Sequence, residues 1–260
     1  MVESTHLKFE HFSVELIKPD ESCLLKTFVN EYQANIIQQA SDQSLLVIEN
    51  TSMGLELQWN KQGERALNYF IDVEKLTKSL RSYPAAKQGA FNQALGKKTR
   101  HIIDATGGWG GDALLMCMQG YQVTVLERNP VMALLLCDAM QRLAKTVWAI
   151  DNEVVCPTVE AGDAQLYFSK LEIISGIDCV YLDPMFPPKK KKSAATNKYM
   201  QLLHWMVGAD SDSSQLLELV LQKKVNRVAV KRPDYAEPLL KEPSQRFSSK
   251  LVHYDVYLSS

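Results

Sequence analysis

Paired cysteines are missing from this chain. Its five cysteines (Cys23, Cys117, Cys137, Cys156 and Cys179) are scattered without a C-x-x-C pair, which excludes a disulfide framework and leaves reduced core thiols. The five histidines (His6, His11, His101, His204 and His253) are equally dispersed, so no zinc or iron site is expected. No apolar run approaches the ~20 residues of a bilayer span, and the first residues lack the basic-then-apolar pattern of a secretory signal. A cytoplasmic protein with no membrane partner is the expectation. Charge of one sign is not in excess either: 29 Lys and Arg stand against 30 Asp and Glu, a net charge of -1. Any contact with a polyanion must then come from local patches rather than a uniform basic coat.

What is present is an ordinary core-forming composition, 46% apolar in 260 residues, enough for one large domain or one domain with a small appendage. No residue pattern demands an oligomer, and a monomer is favoured. Residues 1–82 read as a small α+β module. Phe12 to Ile17 and Leu55 to Trp59 alternate as half-buried strands do, Leu45 to Ile48 is a short apolar run, and Phe28 to Gln39 looks helical. Substrate docking is the role expected of it. Ser82-Tyr83-Pro84 breaks the pattern, and a short helix follows near Ala90 to Leu95.

Residues 83–260 then alternate strand and helix. Strands are expected at Ile102-Ile103, Gln122 to Leu126, Glu153 to Val159, Cys179 to Leu182, Arg227 to Val230 and Leu251 to Leu258. Helices fill the gaps, at Asp112 to Met118, Pro130 to Lys145, Gln165 to Leu171, Asn197 to Val207 and Ser213 to Lys223. Such alternation implies an α/β fold, a mainly parallel sheet with helices on both faces. Ligands in such sheets sit at the carboxyl ends of the strands, near the switch in strand order. Asp104, Glu127, Asp163 and Asp183 all fall at expected strand ends, so all four should line one crevice.

Between Asp104 and Asp112 runs Ala105-Thr106-Gly107-Gly108-Trp109-Gly110-Gly111, a glycine-rich turn between strand and helix. Glycines let a ligand approach the backbone, and the helix that follows aims its amides at it. Glu127 lies 20 residues beyond Gly107 at the next strand end, where an acid accepts hydrogen bonds from ribose hydroxyls. A nicotinamide dinucleotide and S-adenosylmethionine both fit. The G-x-G-x-x-G fingerprint is not met from Gly108, because Ala113 holds its third glycine position. Asp104 would repel a pyrophosphate and suits a cationic ammonium, so S-adenosylmethionine is preferred.

A second segment, Asp183-Pro184-Met185-Phe186-Pro187-Pro188, leaves an apolar strand and runs into Lys189, Lys190, Lys191 and Lys192. Exocyclic amines of bases are poor nucleophiles because their lone pair is delocalised into the ring. A carboxylate and a backbone carbonyl accepting hydrogen bonds from the amine would orient it, and Pro184 presets the carbonyl direction. Phe186 can stack on the base, a contact worth ~1–3 kcal/mol. The four lysines can grip neighbouring phosphates. Catalysis of this kind is positioning and electrostatics, with no covalent nucleophile or metal.

The runs Asp104-Ala105-Thr106, Gly108-x-Gly110-x-Asp112, Leu126-Glu127-Arg128-Asn129-Pro130, Tyr181 to Pro187 and Val230-Lys231-Arg232-Pro233-Asp234-Tyr235-Ala236 resemble the RsmJ family. Its members are class I (Rossmann-like) methyltransferases that modify N2 of one guanosine in bacterial small-subunit (16S) ribosomal RNA. The resemblance spans about residues 100 to 240. It implies S-adenosylmethionine contacts at Gly111, Asp112, Glu127, Arg128, Gly162, Asp163 and Asp183, besides Asp104, Gly108 and Gly110 of the glycine-rich turn. The family usually has arginine where this chain has Gly111, and serines at 162–163 where it has Gly-Asp. Asp183, Pro184 and Phe186 would form the catalytic loop, with 16S rRNA or the small subunit as partner. Lys231 and Arg232, expected just beyond a strand, would join Lys189 to Lys192 in gripping RNA. Three other readings remain: an adenine or protein amino methyltransferase, an NAD-linked oxidoreductase, and a non-catalytic RNA-binding protein.

Overall fold

The computed structural model describes residues 4–8, 13–17, 45–60, 63–78, 82–185, 198–207, 212–240 and 242–259. The helix expected over Phe28 to Gln39, together with Phe186 and Lys189 to Lys192, lies outside the described residues.

Among the described residues five strands come first: β1 (Ser4–Lys8), β2 (Ser13–Ile17), β3 (Leu45–Thr51), β4 (Gly54–Asn60) and β5 (Leu67–Tyr69), paired in that order into one sheet. The β2–β3 pair is parallel and the other pairs antiparallel. Helices α1 (Val73–Lys78) and α2 (Gly89–Leu95) lead into the larger unit. There follow β6 (His101–Asp104), α3 (Gly111–Met118), β7 (Gln122–Glu127), α4 (Pro130–Ala144), α5 (Val147–Asp151), β8 (Thr158–Ala161), α6 (Ala164–Ser169) and β9 (Cys179–Leu182). The chain finishes with α7 (Lys198–Val207), α8 (Ser213–Gln222), β10 (Arg227–Pro233), β11 (Gln245–Ser248) and β12 (Val252–Leu258).

The second sheet has the order β11-β12-β10-β9-β6-β7-β8. Five strands, β10 to β8 in that order, run parallel, and β12 and β11 add an antiparallel edge. Read from β6 as the first, the parallel part has the 3-2-1-4-5 order of a doubly wound Rossmann-like fold. The order in which the chain adds strands reverses between β6 and β9, and the crevice opens there.

Strand residues alternate between two apolar clusters. Ile102, Val125, Cys179, Tyr181 and Ala229 join α2, α3, α4 and α7 on one face. Ile103, Leu126, Val180, Leu182 and Val228 join α6 and α8 on the other. Both faces being covered, all four residues of β9 are buried, which is why it reads as an unbroken apolar run. The small sheet shares the first cluster, through Leu46, Ile48, Leu55, Leu57 and Trp59. Arg142 of α4 fastens it further. This guanidinium donates to Ile71 O at 3.0 Å, pairs with Asp138 at 2.8 Å and lies over the Phe70 ring. Asp138 in turn accepts the Leu55 N–H at 3.1 Å.

Local chemistry explains the helix starts that matter for the site. Asn129 accepts the N–H groups of Val131 and Met132, and Pro130 occupies the first turn of α4 where no donor is lost. Asp163 caps α6 by accepting from Gln165 and Leu166.

Three expectations change. The strand expected over Glu153 to Val159 is confined to Thr158–Ala161. Upstream, Thr146 accepts the Ala149 N–H and starts α5, Glu153 turns the chain at a φ of 51°, and Pro157 offers no ladder donor. The exposed edge strand β11 was not expected, since only Phe247 packs inward. Finally β10 runs on to Pro233, so Lys231 and Arg232 belong to the strand.

Candidate active site

The carboxyl ends of β6, β7 and β9, with the start of α6, surround a cavity of about 340 Å³. Asp104, Glu127, Asp163 and Asp183 all line it. So do Gly108, Gly110, Gly111, Asp112, Arg128 and Pro184. Gly162 falls outside the lining, its N–H donating to Glu127 O at 2.9 Å.

The glycine-rich turn is shaped by tight packing at two points. Gly110 holds a φ of 74° as the N-cap of α3, and a Cβ there would strike the Leu136 side chain. At Gly107 a Cβ would lie 2.6 Å from Val125 Cγ1. Gly111 meets nothing within 4 Å, so the position where the family commonly places arginine is open. Glu127 braces the turn from the next strand: one oxygen accepts the Gly108 N–H at 2.6 Å and the other the Asn129 N–H at 2.6 Å. A carboxylate oxygen can accept more than one hydrogen bond, so a ligand hydroxyl can share this acid with the turn.

Asp104 is the deepest acid, 2% exposed. Burial first, then the nearby Asp112, Asp183 and Glu127 carboxylates, push it up to about 8 against the pull of the Thr106 N–H. Thr106 joins the two loops: its N–H donates to Asp104 at 3.1 Å and its Oγ1 accepts the Asp183 N–H at 2.6 Å. Tyr181 is fully buried, and its hydroxyl donates to Asp112 Oδ2 at 2.6 Å. Burial and the Asp183 and Asp112 charges hold this phenol well above its ordinary range, so it remains a donor.

Lys231 corrects an expectation. Placed by the sequence on an RNA-facing surface, it turns into the cavity, with Nζ 2.9 Å from Asp112 and 2.8 Å from Asp183. Arg232 points away from the cavity and donates to Glu237 O at 3.1 and 2.7 Å. Sequence reasoning also missed one wall entirely. Met200, Leu203 and His204 of α7 line the cavity, as do Asp212 and Ser213 at the start of α8. Nothing in their local pattern marks them. Trp109 completes the mouth, its ring centroid 3.8 Å from that of Tyr69 in the small sheet.

The residues present fit an adenosylated, cationic ligand. A glycine turn with no room for a Cβ at Gly107 or Gly110 admits the ligand next to the backbone, a braced acid ends β7, and Asp104, Asp112 and Asp183 converge where positive charge would sit. Fold and site together define a Rossmann-like methyltransferase dependent on S-adenosylmethionine. A family model described as "Putative SAM-dependent methyltransferase" matches residues 29–259. Ribosomal RNA small subunit methyltransferase J of Legionella pneumophila (strain Philadelphia 1) is 37% identical over 190 residues, 73% of this chain and 76% of the relative. Its counterpart from Coxiella burnetii (strain RSA 331) is 37% identical over 194 residues, 73% of this chain and 74% of the relative. A SAM-dependent methyltransferase from Neisseria gonorrhoeae shares the fold, with a TM-score of 0.65 at 24% identity over 94% of both chains. The chain belongs to the ribosomal RNA small subunit methyltransferase J family of SAM-dependent enzymes. With that, the oxidoreductase and non-catalytic readings fall away.

Proposed function

We propose that this enzyme methylates the exocyclic N2 of one guanosine in 16S rRNA, in free RNA or the assembling small subunit, in the cytoplasm. The relatives' names support the substrate class. The observation that carries the chemistry is Asp183, fixed at the end of β9 by its own N–H on Thr106 and facing the glycine-rich turn across the same cavity.

S-adenosylmethionine supplies an electrophilic methyl group. Glu127 and the backbone of Gly108 to Asp112 would hold its adenosyl part, with Asp163 beside the base and Asp104 at the cationic end. Asp183 and the Pro184 carbonyl accept the N–H groups of the target amine and aim its lone pair. Asp183 also stands where the proton shed by the alkylated nitrogen can be taken up. A target in a paired region must first be flipped out. Phe186 would stack on the extruded base, and Lys189 to Lys192, with Arg232 on the outer surface, would hold phosphates.

The test is incubation with tritiated S-adenosylmethionine and small-subunit particles lacking the modification, followed by nucleoside mass spectrometry. N2-methylguanosine is expected. Methyladenosine would move the target to another base, and methylated ribosomal protein would move it off RNA.

A further inference from the structure

The cavity is unbalanced in charge. Besides the largely protonated Asp104, its lining carries Asp112, Glu127, Asp163, Asp183 and Asp212 against two permanent cations, Arg128 and Lys231. The methionyl end of the cofactor is mixed: a sulfonium and an ammonium suit these acids, but its carboxylate does not. Set among Asp104, Asp112 and Asp183, that carboxylate requires a cation of its own.

Arg128 is poorly placed for it. It follows Glu127, at the ribose end, and its guanidinium is held by Asp212 at 3.2 Å. Lys231 is at the other end. In the β9–β10 register Val230 pairs with Leu182, so Lys231 leaves its strand beside Asp183. Its ammonium bridges Asp112 and Asp183, the acids bounding the space between the start of α3 and the catalytic loop. An ammonium has three N–H donors. Two are used by these acids, and among the described residues nothing takes the third. Burial alone would depress this lysine's pKa, but Asp183 and Asp112 more than reverse that, so it stays charged.

We propose that Lys231 is the counter-ion for the carboxylate of the cofactor's methionyl group, held ready by Asp112 and Asp183. This rests on the S-adenosylmethionine reading. Its rival is a lysine that merely neutralises two acids. The two roles have opposite consequences. Removing a counter-ion weakens binding of ligands that own a carboxylate, whereas removing a neutraliser strengthens binding of every cationic ligand.

Calorimetric titration with three probes separates them: S-adenosylmethionine, its decarboxylated form, and methylthioadenosine, which lacks the whole amino-acid end. Wild type is expected to bind S-adenosylmethionine about tenfold or more tighter than the decarboxylated form, the worth of one charge-assisted hydrogen bond. In Lys231→Met that preference should vanish or reverse while methylthioadenosine binds within about twofold of wild type. Lys231→Arg should restore part of the preference. Equal binding of the two cationic probes by wild type overturns the proposal, whatever the variants do. So does an unchanged preference in Lys231→Met, or tighter binding of both cationic probes. Failure of all three probes, methylthioadenosine included, would instead sink the cofactor reading itself.

Discussion

Tyr69 of the small sheet packs against Trp109 of the glycine-rich turn, ring centroids 3.8 Å apart and planes 40° from parallel. The contact ties the N-terminal sheet to the glycine-rich turn, the loop proposed to hold the cofactor. Tyr199 of α7 meets the same Tyr69 ring edge-on at 5.5 Å. Aromatic pairs of this kind contribute ~0.5–1.5 kcal/mol beyond their burial. Tyr69→Ala should therefore weaken S-adenosylhomocysteine binding by about two- to tenfold. An unchanged Kd by calorimetry would mean the turn holds its shape without the sheet.

Asp104 should make cofactor binding pH-dependent. With its carboxyl raised from an ordinary 3.8 to about 8, it is mostly protonated at neutral pH. A cationic ligand favours the ionised form, so binding should release a proton, and affinity should rise with pH up to about 8. Calorimetry in two buffers of different ionisation enthalpy reads the proton count. No proton released at pH 7, or an undiminished release in Asp104→Asn, would refute the assignment.

The same group acts on stability with a definite sign. The folded state binds its proton more tightly than the unfolded chain. Its contribution is thus fully present below about pH 4 and is lost as pH rises through about 8. Asp104→Asn should flatten this decline in denaturant titrations between those limits, and a parallel profile for wild type and variant would contradict it.

Asp183→Ala should reduce methyl transfer by about 100-fold or more, as loss of an oriented transition-state acceptor does. RNA affinity should stay within a fewfold of wild type. Single-turnover kinetics with saturating RNA separates the two effects, and near-normal transfer would remove Asp183 from the chemistry.

Neutralising Lys189 to Lys192 should weaken RNA binding and flatten its salt dependence by ~0.7–0.9 in slope for each phosphate no longer gripped. Filter binding across a salt series is the measurement. An unaltered slope would leave those lysines as solvent-facing charges.

Much of the site was legible in the sequence because central strands announce themselves. β6 and β9 are buried on both faces, so they read as apolar runs, and the acid that ends each run stands out. The start of α4 was equally visible through Asn129 and Pro130. Lys231 was misread for a reason specific to strands. Ending β10 at Val230 leaves the next residues in a loop, free to face RNA; extending it to Pro233 gives Lys231 the face of Ala229 and its pairing partner Tyr254. The edge strand β11 escaped notice because it carries no local pattern, and α7 was expected as a helix but not as a wall of the cavity. What places them is packing against residues far away in the chain.

Arg142, paired with Asp138 on its own helix, reaches from α4 to Ile71 O and the Phe70 ring and so fixes the small sheet to that helix. The small sheet is bolted to the same helix whose N-terminus, capped by Asn129, stands beside Glu127 at the cavity. If substrate docking is the role of that sheet, any RNA feature it touched would be kept at a constant offset from the transfer point. The pair would then work as a caliper with its jaws locked, suited to one spacing in a folded RNA rather than to a sequence read base by base.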